Sequence, residues 1–191
     1  MSRGTEGNMT LAIIGTILQC DPLSTGPELQ VLPNAVVLID ASGNIVAVDK
    51  LAAGSRQQQE KELGELLGGS DGHEVVWLTH DQYLMPGLID THFHAPQLPL
   101  AGKCLDMPLQ QWLAECSVPL ESRCSDTAWA ARVYGKVVDR TLAHGTTTAV
   151  YFASVHVDAC AELARQCLQK GQRGFVGKVC MGKIFGSPHR P

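Results

Sequence analysis

Apolar positions along the chain follow two different rhythms, one before Pro86 and one after it. Leu11–Cys20 is apolar and β-branched, and Glu74–Thr79 repeats that character, as strands do. Ala35–Asp40 and Ile45–Asp49 are short apolar runs on either side of Ala-Ser-Gly-Asn, which predicts two strands about a turn. Ser55–Leu67 is charged and Gln-rich with Leu63, Leu66 and Leu67, and predicts a surface helix. Gly68, Gly69, Ser70, Asp71 and Gly72 then form a loop. Together these elements predict a small β-rich, sandwich-like domain over residues 1–85.

From Pro86 onward strands alternate with amphipathic helices. Leu88–His94 reads as a strand behind a Pro-Gly turn. Leu109, Trp112, Leu113 and Cys116 recur at i, i+3, i+4, i+7 after Pro108, a helical period with proline at its start. Ser125 and Asp126 open a second helix with Ala130, Val133, Tyr134 and Val137 on one face, stopped by Gly145. Thr146–Phe152 is a β-branched and aromatic strand. Asp158 is placed to cap a third helix carrying Cys160, Leu163, Ala164 and Cys167, ending near Gly171. Arg173–Cys180 is the last strand. Strand, helix, strand, helix, strand implies parallel pairing in an α/β barrel or a doubly wound sheet.

Composition changes this picture little. The chain has 191 residues, 45% hydrophobic and 18% charged, with a net charge of −4, which is globular and argues against disorder. No basic patch points to nucleic acid or an anionic membrane. The polar start, Met1–Thr10, is unlike a signal peptide, and the eight-residue apolar run at 11–18 is too short to span a bilayer. A cytosolic protein is expected. The seven cysteines, at 20, 104, 116, 124, 160, 167 and 180, include no Cys-x-x-Cys pair, and are expected to be buried and reduced. No Gly-x-Gly-x-x-Gly or P-loop follows any strand, which disfavours nucleotide-cofactor folds.

Chemistry concentrates at one strand end. Residues i and i+2 of a strand share a face about 7 Å apart, so His92 and His94 point the same way, with Asp90 on that face too. Two imidazoles so placed can ligate one zinc, whose catalytic sites usually hold three protein ligands and a water. Such a zinc lowers the pKa of its water from about 15.7 towards 7. The pair falls at the C-terminal end of its strand, where barrel active sites lie. A His-x-His pair by itself is a weak signal, since two surface histidines, or one core and one exposed, give the same pattern more often than a metal site does. His144 sits at a helix C-terminus, where the dipole favours histidine, and reads as structural. His156 follows a strand and can line the mouth of a barrel. His73, His80 and His189 read as loop residues.

Pro86-Gly87-Leu88-Ile89-Asp90-Thr91-His92-Phe93-His94 resembles the Pro-Gly-x-x-Asp-x-His-x-His pattern of the amidohydrolase superfamily. Within it the chain is most similar to the guanine deaminases, through His94-Ala95-Pro96-Gln97, Leu105–Leu113, Gly145–Thr148 with Tyr151-Phe152-Ala153, and Gly174–Met181. The resemblance spans roughly residues 30–181 and is strongest from 84. It implies an α/β fold: a small β-domain followed by the first ~3 βα units of a (β/α)8 TIM-type barrel, over 86–181. It also implies one Zn2+ per subunit, with His92 and His94 as metal ligands and His94, Ala95, Pro96 and Gln97 as substrate-binding residues. Gln97 would lie over the purine edge, and Asp90 would support the strand.

The reaction so implied is hydrolytic deamination of guanine to xanthine and ammonia by a cytosolic homodimer, with no nucleic-acid or membrane partner. A full barrel takes about 250 residues, and Pro86–Pro191 supplies 106. In the family the remaining zinc ligands and the acid–base carboxylate come from later strands, so no catalytic residue is assigned here. The 191-residue chain alone is expected to be inactive. Gly182–Pro191 departs from the alternating pattern and reads as a divergent tail. The alternatives are another amidohydrolase, such as a different nucleobase deaminase or a cyclic-amide hydrolase, and a non-catalytic form that binds full-length subunits.

Overall fold

A computed structural model describes residues 9–20, 28–68 and 72–180. The tail at 182–191 and His189 lie outside the described residues. The chain divides into two compact units, 1–86 and 87–191.

In the first unit β1 (Met9–Cys20) pairs antiparallel with β2 (Leu29–Asp40), which pairs antiparallel with β3 (Ile45–Lys50). On its other side β1 pairs parallel with β4 (Glu74–Trp77) and the two-residue β5 (Tyr83–Leu84). The described strands therefore form one sheet, and its second layer is a helix where a second sheet was expected. That helix, α1 (Arg56–Leu66), starts in a capping box: Ser55 Oγ accepts from Gln58 N, and Gln58 Oε1 accepts from Ser55 N at 2.8 Å. Both exchanges satisfy donors the first turn would leave open. Leu63 then packs on Ala12, Ile14, Val36 and Leu38, while Ile17, Ala35 and Val37 form a separate cluster. Alternation with both phases apolar thus marks one sheet carrying two apolar clusters. β2 begins six residues earlier than the apolar run at Ala35 predicts. Pro33 and Asn34 (φ 53°) interrupt the pattern there, and the register shifts between Gly15 and Ile17, so the ladder passes the breakers through a bulge.

The second unit carries a parallel sheet, β6 (Leu88–His94), β7 (Thr146–Phe152) and β8 (Arg173–Gly177), in that order. Parallel neighbours need long crossovers, and helices supply them. After β6 come a 3-10 stretch (Ala95–Leu100), α2 (Leu109–Trp112), a π-turn (Leu113–Ser117) and α3 (Val118–Ser122), then α4 (Thr127–Ala143); α5 (Val157–Lys170) joins β7 to β8. The single helix predicted from Leu109 is thus broken. Pro119 has no N–H to give the preceding turn, the widened turn accommodates it, and Leu109 stays exposed. Asp126 Oδ1 caps α4 by accepting from Ala128 N and Trp129 N at 2.9 and 3.1 Å. Ala130, Val133, Tyr134 and Val137 are buried as their spacing predicts.

On α5, Cys160, Leu163 and Cys167 are buried, but Ala164 is exposed. The buried place falls to Glu162, which is ion-paired to Arg165 and accepts from Gln166 Nε2 at 2.7 Å. His156, rather than Asp158, occupies the cap position, and Asp158 lies in the first turn, where a carboxylate favours the helix dipole.

The core between this sheet and its helices holds one buried polar hub. Gln172 Nε2 donates to Thr141 Oγ1 and Thr146 O, both at 2.9 Å, and Gln172 Oε1 accepts from Tyr151 OH at 2.7 Å. The amide's capacity is used across α4, β7 and the start of β8. Gly87 enters β6 flush against β7: a Cβ there would lie 1.9 Å from Thr147 Oγ1.

The cysteines depart from expectation. Cys124, Cys160 and Cys167 are buried and free, but Cys20 and Cys180 are exposed, and Cys104 is disulfide-bonded to Cys116. The loop after the 3-10 stretch folds back far enough to bring Cys104 against Cys116 in the π-turn, which spacing alone does not reveal.

Burial pushes the Cys124 thiol and the Tyr134 phenol up; their contact at 3.4 Å raises the phenol further and offsets part of the rise at the thiol. The unfolded chain releases these protons first, so stability falls as pH rises past the ordinary thiol range. We expect the denaturation midpoint to drop between about pH 9 and 11, and Tyr134→Phe to flatten that drop. Gln172→Leu leaves Thr146 O and Tyr151 OH without this partner and is expected to cost about 2–3 kcal/mol in urea unfolding.

Candidate functional site

Phe93, Ala149, Tyr151 and Val176 face the helices, where they join the core of α4 and α5. His92, His94 and Phe152 fall on the other phase of their strands, toward the opposite face of the sheet. Pairing of Phe93 with Tyr151 and of His94 with Phe152 sets this arrangement. The Phe152 ring stacks on both imidazoles, at centroid distances of 4.5 Å to His92 and 5.0 Å to His94. Their Nε2 atoms converge to 3.0 Å. Tetrahedral zinc with two imidazoles at 2.0–2.1 Å would separate those nitrogens by about 3.3 Å, so the pair fits a shared metal with little movement.

Asp90 does not join them. A register shift between Asp90 and Phe93 adds a residue to β6, which breaks strict alternation and re-aims side chains. The Asp90 carboxylate turns back to accept from His92 N at 2.9 Å, a supporting contact. Among the described residues no group of three or more His, Cys, Asp or Glu side chains is placed to hold a metal.

Ala95 and Pro96 are buried directly after His94, and Gln97 follows, half-buried, on the 3-10 turn. Its Nε2 donates to Glu121 Oε1 at 2.8 Å and to Ser117 Oγ at 3.3 Å, while Ser117 Oγ donates to Glu121 Oε1 at 2.9 Å. His144 ends α4 with Nδ1 donating to Arg140 O at 2.7 Å, a structural cap. His156 sits at the start of α5, its backbone N donating to Ser154 Oγ at 3.1 Å. A depression of about 410 Å³ lined by Arg123, Trp129, Arg132, Lys136 and Arg140 includes none of the candidate residues.

Phe152, Ser117 and Glu121 were not singled out from sequence. Phe152 required the strand register. Ser117 and Glu121 stand one turn apart on a helix, but the π-turn shifts the face they present.

The histidine pair lies at the C-terminal end of the first of three parallel strands, with helices behind, which is where α/β-barrel enzymes carry their active sites. The family model described as "Amidohydrolase family" matches residues 83–186, and the chain belongs to that family. Among curated relatives it is 41% identical to the guanine deaminase of Dictyostelium discoideum over 158 residues, which is 82% of this chain and 35% of that protein. Its fold matches E. coli guanine deaminase with a TM-score of 0.74 at 24% identity, covering 93% of this chain and 38% of the other. A zinc-bound adenosine deaminase from Xanthomonas campestris matches with a TM-score of 0.66 at 24% identity, over 87% and 33%. The chain spans about a third of the length of the curated relatives it matches.

We expect zinc titration of the 15N-labelled chain to shift the Nε2 resonances of His92 and His94 together, with only weak affinity from two ligands. Phe152→Ala is expected to weaken that binding about three- to tenfold by freeing the rings. Equal shifts at His73 or His80 would count against a defined pair.

Proposed function

We propose that this chain supplies the first part of a zinc-dependent guanine deaminase site, on the opening ~3 βα units of a (β/α)8 barrel at residues 86–181. The convergence of His92 and His94 Nε2 to 3.0 Å carries the reading. Ile89 and Phe175 support it, because both remain exposed on the sheet, and inward residues of closed barrels fill the interior. The matches to guanine deaminases support guanine as substrate. The β-rich domain at 1–85, a cytosolic setting and a homodimer belong to the same reading.

In this reading His92 and His94 are two ligands of a single zinc. When bound, that metal supplies Lewis-acid activation of water and of the C–N bond to be cleaved. His94, Ala95, Pro96 and Gln97 form one wall of the purine site: the buried Ala95 and Pro96 fix the turn, and the Gln97 amide meets the base edge. Asp90 holds the backbone of His92. The overall change is guanine plus water to xanthine plus ammonia. The proton-transferring carboxylate that the reaction requires is not assigned to any residue of this chain.

Catalytic zinc usually takes three protein ligands, so we expect the 191-residue polypeptide alone to hold no stoichiometric zinc and to form no xanthine. A chimera with residues 83–180 replacing the matching part of the Dictyostelium enzyme is expected to bind one zinc and to deaminate guanine. His92→Ala or His94→Ala in that chimera is expected to lower kcat/KM by at least about 10³-fold. Zinc uptake without guanine turnover would contradict the substrate assignment.

A further inference from the structure

The amide of Gln97 has two faces that look alike in shape and are opposite in chemistry. A carboxylate only accepts hydrogen bonds, and an amide NH2 only donates. With Glu121 Oε1 at 2.8 Å, the Gln97 amide must therefore turn its nitrogen toward the helix. Ser117 Oγ reinforces that choice. It is 2% exposed, accepts from the Gln97 amide at 3.3 Å and donates its own hydrogen bond to Glu121 at 2.9 Å. Among the described residues the Gln97 Oε1 takes no hydrogen bond. The amide is thus left with a free acceptor on its other edge. The π-turn at Leu113–Ser117 produces this geometry, and such turns are frequent at functional sites. It carries Ser117 into the interior and sets Glu121 one turn further along the same face.

We infer that Glu121, together with Ser117, is a positioning residue that locks the Gln97 amide with its carbonyl oxygen free, so that the site selects a base presenting an N–H to it. The inference rests on the proposal that Gln97 meets the purine. Guanine carries N–H groups on its pyrimidine edge that match such an acceptor. A base offering only ring-nitrogen acceptors there would face an acceptor and lose affinity. Glu121 touches no substrate atom in this account and acts through Gln97 alone.

Two measurements decide it. In 15N-labelled 191-residue chain, the Gln97 side-chain NH2 is expected to exchange slowly with solvent, and Glu121→Ala to return it to the behaviour of an exposed glutamine. In the guanine-deaminating chimera, Glu121→Ala is expected to raise KM for guanine about tenfold while kcat stays within about threefold. Glu121→Gln keeps an acceptor and the same shape, and is expected to restore KM to within about threefold of the parent. An unprotected Gln97 amide in the parent chain would overturn the inference. So would an unchanged KM in Glu121→Ala, or a fall in kcat without a change in KM. Failure of the parent chimera to deaminate guanine would count against the functional reading instead, and the amide-exchange measurement would still decide the positioning role.

Discussion

The pairing of Phe93 with Tyr151 and His94 with Phe152 is the contact on which the second unit depends. It sends Phe93 and Tyr151 into the core beneath α4 and α5, and leaves the histidines and Phe152 on the other face. A slip of one residue would exchange those sets, burying the imidazoles and exposing the aromatic core. Gly87 admits β6 close to β7, and Gln172 ties Tyr151 to α4 and to the start of β7. The chemistry of the site is therefore a consequence of core packing: the same register that fills the interior brings two Nε2 atoms together.

Much of this could be read along the chain, and the residues show why. The face of α4 was legible because Ala130, Val133, Tyr134 and Val137 keep a clean helical period with Asp126 before them and Gly145 after them. The histidine pair was legible because a two-residue spacing on a strand needs no tertiary information. Asp90 was placed on the same face by that period, and the bulge after it removed it, which no local pattern records. The region from Leu109 to Ser125 defeated periodicity because Pro119 forces a π-turn into what reads as one helix. The same turn hid Ser117 and Glu121. The Cys104–Cys116 bond and the start of β2 at Leu29 are likewise set by partners across a loop, Cys20 in the case of Leu29, which no periodicity records. The single sheet of the first unit, with α1 as its second layer, shows that apolar alternation tells which faces are covered but not what covers them.

Family membership gives these contacts a purpose without substituting for them. The described residues offer two imidazoles that converge, backed by an aromatic ring and by Asp90 on the backbone. The substrate side is built differently. Its proposed contact, Gln97, is held by a hydrogen-bonded helix turn, so that the histidine pair rests on β6 and Gln97 on the crossover that follows it. In the proposed reading, alteration in the π-turn would change base recognition while the histidine pair stays as it is.

The most direct test of the central claim is anomalous diffraction at the zinc edge from crystals of the chain grown in a large excess of zinc, enough to fill a weak two-ligand site. The account requires a peak about 2.0–2.1 Å from both His92 Nε2 and His94 Nε2, beside the Phe152 ring. A peak bound elsewhere, or one held through only one of the two imidazoles, would contradict the claim that this strand end is built as half of a metal centre.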